Sequence, residues 1–150
     1  MHLCNMGNQR QYLPSGGFSE YLYKDESEKV TINGVTGKMI SMIADPTGSQ
    51  AGLPTYSSTS DIYFKKGPDG KASQAKVYKD RVTILDFDWN HDHKNSDGRI
   101  FHKGTVHVQV YRKNPDGSLT RLKDARFMNN HEMKLYGPIM KYFNPDVKFR

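Results

Sequence analysis

From residue 61 to residue 122 the chain alternates short apolar and β-branched runs with turn tetrapeptides, and that punctuation admits little besides an antiparallel sheet. Asp61-Ile62-Tyr63-Phe64-Lys65-Lys66, the turn Gly67-Pro68-Asp69-Gly70, and Ala75-Lys76-Val77-Tyr78 read as a β-hairpin. A third strand spans Val82 to Trp89 and a fourth spans Thr105 to Arg112. Asn114-Pro115-Asp116-Gly117 then turns the chain into a fifth at Ser118 to Leu122, so the expected sheet is a meander.

Beyond the last strand the period changes. Asn130 can cap a helix in which Met133, Tyr136, Ile139, Met140 and Phe143 recur at three- and four-residue spacing. Gly137-Pro138 falls inside it, so the helix is expected either to kink there or to restart with Pro138 at its first position. Asn144-Pro145 ends it. Residues 1–60 are instead rich in Gly, Ser, Thr, Pro and Asn, with turns at Pro14-Ser15-Gly16-Gly17, Asp45-Pro46-Thr47-Gly48 and Gly52-Leu53-Pro54. One apolar run, Lys38 to Ile43, reads as a strand. The expected fold class is therefore α+β: an antiparallel β-sheet of about five strands with a C-terminal amphipathic helix. Residues 1–60 would be a loop-rich N-terminal segment packed on, or leading into, a domain of residues 60–150.

A length of 150 residues fits a single domain. The lone cysteine, Cys4, cannot form an internal disulfide, and zinc ribbons and zinc deaminases, which need paired cysteines, are excluded. No run approaches the roughly 18 apolar residues of a membrane span, and the first residues lack a basic and then apolar leader. A soluble chain without a membrane span or an export signal of its own is expected. Lys and Arg outnumber Asp and Glu 22 to 16, and the formal charge of +6 favours polyanionic partners, RNA or DNA first among them.

Side chains alternate along a strand, so Leu85, Phe87 and Trp89 share one face, which must be the core, while Asp86 and Asp88 share the other with Val82 and Ile84. In the fourth strand Val106, Val108 and Val110 form the apolar face, opposite Thr105, His107, Gln109 and Tyr111. If the two strands pair, Asp86, Asp88, His107 and Gln109 face the same way. The connection from Asn90 to Lys103 carries His91, His93 and His102, so four of the six histidines lie within 17 residues. Loops of that length without their own secondary structure are uncommon, and are often binding or catalytic. Arg99 and Lys103 add cations to it.

Two chemistries fit this group. His91, His93 and His107, oriented by Asp86 and Asp88, can supply the acid and base of metal-independent RNA cleavage, with Arg99, His102, Lys103 and Gln109 holding the substrate phosphate. No cofactor is then needed. Alternatively, His91, His93 and His107 with Asp88 can bind a divalent transition metal that activates water or polarises a phosphate. A third reading is a non-catalytic module whose basic loop holds a partner.

The segments Asp61-Ile62-Tyr63-Phe64 and Ala75-Lys76-Val77-Tyr78, with Leu85-Asp86-Phe87-Asp88-Trp89-Asn90-His91-Asp92-His93 and His102-Lys103-Gly104-Thr105-Val106-His107-Val108-Gln109, resemble C-terminal toxin domains of bacterial polymorphic toxins, including those on RHS-repeat proteins. The closing Ala125-Arg126-Phe127-Met128-Asn129-Asn130 and Asn144-Pro145-Asp146-Val147-Lys148-Phe149-Arg150 fit the same picture, which covers about the last 90 residues. The resemblance implies a toxin domain carried on a larger secreted polypeptide, acting in the cytoplasm of a target cell, and neutralised in the producer by a cognate immunity protein. Many such domains are nucleases, and RNA is the expected substrate. The resemblance assigns no roles to the histidines.

Overall fold

The computed structural model describes residues 8–13, 15, 17–44 and 52–150. The turns expected at Pro14 and Asp45 lie wholly or partly outside them, as does Cys4. In chain order the elements are β1 (Asn8–Tyr12), β2 (Phe18–Asp25), β3 (Val30–Ile32), β4 (Val35–Ala44), β5 (Ile62–Lys66), β6 (Ala72–Lys79), β7 (Val82–Asp88), β8 (His93–Lys94), β9 (Ile100–Phe101), β10 (His107–Lys113), β11 (Leu119–Arg121) and α1 (Asn130–Phe143). The fold is α+β, a largely antiparallel sheet with one C-terminal helix.

The main sheet runs β1-β2-β4-β5-β6-β7-β10-β11, with β3 paired to β4 beside this path. Among the described residues β4 and β5 are the one strand pair of this sheet that runs parallel. Strands β5, β6, β7, β10 and β11 form the expected meander, with β8 and β9 a separate two-stranded sheet, but the N-terminal half corrects the sequence reading. Residues 8–44 are not loop-rich: they supply four strands to the same sheet, so position 60 divides nothing in it. Asn33 and Gly34 close the β3–β4 hairpin, both with positive φ (56° and 77°), the backbone of a type I′ turn.

Three turns share one construction. At 67–70, 95–98 and 114–117 the closing glycine (Gly70, Gly98, Gly117) donates to the carbonyl three residues earlier at 2.9–3.0 Å. In each the preceding aspartate (Asp69, Asp97, Asp116) accepts from a backbone N–H two residues on. The glycines sit at φ 82° to 91°, which disfavours a side chain there. The middle turn matters most, because it folds the histidine-bearing connection into the β8–β9 hairpin rather than an unstructured loop.

One face of the sheet packs on α1. Phe64, Val77, Phe87, Trp89, Val106 and Val108 lie there with Ile139, Met140 and Phe143, all buried, and Trp89 Nε1 donates to the Ala72 carbonyl at 3.2 Å. The opposite face buries Tyr21, Tyr23, Ile40, Leu53, Tyr63 and Tyr78. In β7 strict alternation fails. Val77 pairs with Leu85 but Tyr78 with Thr83, so Ile84 is an extra residue. Ile84 therefore packs on the helix-side core, and Val82, paired with Lys79, falls by register on the Val77 side. Neither shares the face of Asp86 and Asp88.

The helix is capped one residue earlier than expected. Asn129 accepts from the Glu132 N–H at 2.8 Å, and Glu132 accepts from the Asn129 N–H at 3.0 Å, a reciprocal capping box. The helix then runs unbroken through Pro138. Proline cannot donate to the carbonyl four residues back, Lys134. The Asn33 side-chain amide donates to that carbonyl at 3.0 Å. The β3–β4 turn thus supplies the bond that the proline withdraws.

Candidate functional site

The register across β5, β6, β7 and β10 assembles two polar rows. Lys65, Gln74, Asp88 and His107 are successive partners in one, and Tyr63, Lys76, Asp86 and Gln109 in the other. Asp86, Asp88, His107 and Gln109 consequently share the sheet face turned away from α1.

His107 is enclosed, with 0% of its surface exposed. Its ring stacks between His91 (centroids 5.8 Å apart, planes 12°) and His93 (5.2 Å, 27°), with Phe101 at 6.0 Å. Neither ring nitrogen has a hydrogen-bond partner of normal geometry, although the Thr105 backbone lies close enough to bias its titration. Burial strips water from the imidazolium, and Asp88 only partly offsets this while His93 and His91 add to it, pushing the pKa down to about 4. His107 is neutral at pH 7.

The neighbours are held from outside. Asp88 Oδ1 accepts from the Asn90 N–H at 2.8 Å, leaving Oδ2 3.8 Å from His91 Nε2. His93 Nε2 lies 3.0 Å from the Lys123 carbonyl, which can only accept, so Nε2 carries the proton and Nδ1 is the basic nitrogen of the neutral ring. Asn95 exchanges two hydrogen bonds with the Ala125 backbone, both 2.8 Å, and Ser96 donates twice to Asp124. The segment 123–125 therefore clasps the β8–β9 hairpin and fixes His93, the imidazole it carries.

Above this group opens a cavity of about 530 Å³, lined by Asp88, His91 and His93, by Gln74, Asn90 and Gln109, and by Lys65, Arg121 and Lys123. The residues picked from sequence divide here. Asp88, His91, His93 and Gln109 line the cavity, and His107 lies in the ring stack with His91 and His93. The amide of Gln109 is committed to the Leu122 and Lys123 carbonyls at 3.1 and 3.0 Å. Asp86 is a structural anchor whose Oδ2 accepts from the Tyr111 hydroxyl at 2.9 Å and Arg121 Nη1 at 3.0 Å.

Arg99, His102 and Lys103 do not line this cavity. The Arg99 guanidinium sits against Phe101 and Phe127, its central carbon 5.0 and 5.1 Å from the ring centroids. His102 is exposed, 4.0 Å from Asp92. Lys103 lines a second cavity, of about 360 Å³, beside Trp89. The cations at the histidine cavity are Lys65, Arg121 and Lys123, which the sequence reading passed over. Strand alternation from Tyr63 could have found Lys65, but Lys123 sits in an aperiodic segment that gives no signal.

Among the described residues no helix is long and apolar enough to cross a membrane. No family model matches the chain, and no curated protein or solved structure matches it.

Proposed function

We propose that the chain is a nuclease that cleaves phosphodiester bonds, with RNA as substrate, in the cavity above His91 and His93. The observation that carries this reading is the lining itself: accessible imidazole and carboxylate groups together with three cations, Lys65 from β5 and Arg121 and Lys123 from the end of β11 and the residues after it. A phosphodiester needs that combination, a proton acceptor for the attacking hydroxyl and positive charge for the non-bridging oxygens. His93 is the base, because the Lys123 carbonyl fixes its tautomer with Nδ1 unprotonated. Lys65, Arg121 and Lys123 offset the phosphate charge. The net charge of +6 draws the polyanion in.

The enclosure of His107 argues against the metal-free acid–base pair that the sequence suggested. A ring without solvent exposure reaches no ribose hydroxyl. The likeness to polymorphic toxin domains supports the nuclease reading further, and with it a larger carrier, a target-cell cytoplasm and a cognate immunity protein. The test is incubation of the purified chain with total RNA. We expect shortened RNA bearing 2′,3′-cyclic phosphate ends, with the rate reduced about 10²- to 10⁴-fold in a folded His93→Ala variant. RNA and DNA both left intact by the folded wild-type chain would instead favour a binding module.

A further inference from the structure

We infer that Asp88, His91 and His107 bind one divalent transition-metal ion, with an open coordination position facing the cavity. One potential ligand atom from each lies within 4.8 Å of the others, and Asp88 Oδ2 is already 3.8 Å from His91 Nε2. In a tetrahedral site with bonds of about 2.0–2.2 Å the donors sit about 3.3–3.6 Å apart. Closing the remaining gap, up to about 1.5 Å, is within reach of rotations of the Asp88 and His91 side chains.

The independent observation is His107. Buried imidazole nitrogens are normally paired, and here a fully enclosed ring has no partner of normal geometry for either nitrogen while one of them belongs to the ligand group. The backbone supports the geometry as well, since Asp88 and His107 are register partners on adjacent strands and Asn90 holds the other carboxylate oxygen. Such outer bonds orient metal ligands.

The donor set selects the ion. Two imidazoles and a carboxylate suit zinc and its neighbours, whereas magnesium and calcium prefer oxygen ligands. His93 stays outside the group, bonded to the Lys123 carbonyl. The cations that line the same cavity suit an anion in the open position.

The site rests on its own geometry and does not require the nuclease reading. The test is calorimetric titration of the chelator-stripped full chain with Zn²⁺, repeated with Co²⁺ and its visible absorption. We expect one ion per chain, a raised melting temperature and a ligand-field spectrum of four- or five-coordinate cobalt. Asp88→Asn and His91→Ala should each weaken binding by at least about tenfold. Folding is checked by circular dichroism, and His91 is exposed enough that its loss should leave the fold intact. His131→Ala, on the exposed side of α1, should change nothing. Absence of stoichiometric binding, undiminished binding in His91→Ala and Asp88→Asn, or equal affinity for Mg²⁺ would each overturn the site. RNA cleavage scored on the same samples separates the two readings: zinc binding without cleavage sinks the nuclease alone, and cleavage in excess EDTA without zinc binding sinks the metal site alone.

Discussion

Replacing His107 by leucine should make the metal-free chain more stable, not less. A buried polar group left unpaired costs about 1–3 kcal/mol, and an apolar side chain of similar size removes that cost. His107 is fully enclosed, stacked between two imidazoles and near Phe101, with no partner of normal geometry for either nitrogen. Leucine is close to it in volume, so the strain of repacking should stay below about 1.5 kcal/mol. The net expectation is a gain of about 1–2 kcal/mol at pH 7.5, or about 2–8 °C in melting temperature for a chain of this length. The gain should widen in acid. The folded pKa of His107 is about 4 against 6.5 unfolded, so protons bind the unfolded state more readily. The wild type therefore holds its full His107-dependent stability above pH 6.5 and loses it as pH falls towards 4. A shift of about 2.5 units corresponds to about 3 kcal/mol, fully lost below pH 4. The other titrating groups are common to both chains and largely cancel in the difference. The assay is urea unfolding of both proteins in EDTA from pH 4 to 8. A leucine variant less stable than wild type at every pH, with a difference that does not change with pH, would refute the claim that this ring is unpaired and neutral.

Other consequences are separately measurable. In urea unfolding, Asn33→Gly keeps the left-handed turn but deletes the bond to the Lys134 carbonyl and should cost about 0.5–1.5 kcal/mol, while Asn33→Ala should cost about 1 kcal/mol more because alanine disfavours φ 56°. Gly37→Ala would put a methyl 2.6 Å from Ile62 Cγ2 and 2.7 Å from its carbonyl oxygen, so it should destabilise by about 1–3 kcal/mol and raise the unfolding rate measured by stopped flow. Trp89→Ala should cost about 3–5 kcal/mol, and a loss under about 1 kcal/mol would mean that Trp89 is not part of the core. Lys123→Gln should reduce the slope of log affinity against log salt for single-stranded RNA by about 0.7, and an unchanged slope would remove Lys123 from the phosphate contacts.

The strands β5, β6, β7, β10 and β11 and the helix were legible because each carries its own period and its own turn or cap. Of the first four strands only β4 was, through the apolar run Lys38 to Ile43; β1, β2 and β3 were not. In β2 Leu22 stands between Tyr21 and Tyr23, so apolar and polar residues do not alternate, and β4 is anchored to β5 by a parallel pairing that no local pattern encodes. Two signals were present and overlooked: Asn33-Gly34 between Ile32 and Val35, and Asp97-Gly98 inside the histidine-bearing connection. Both close hairpins. For the site, alternation was enough to bring Asp88 and His107 together, and it misled at Ile84 and Val82, where an inserted residue resets the faces. Enclosure of His107 depends on three rings arriving from the folded connection, so sequence could mark it as a candidate but not as a buried one.

The central claim is that the histidine cavity, rather than any other surface, receives nucleic acid. The most direct measurement is an NMR titration of the ¹⁵N-histidine-labelled chain with a short RNA whose 2′-oxygens are methylated, so that it binds without being cut. The imidazole signals of His91 and His93 should move and saturate together, while those of His102 and His131, which lie away from the cavity lining, stay in place. Binding that shifts His102 or His131 and leaves His91 and His93 unmoved would contradict the account.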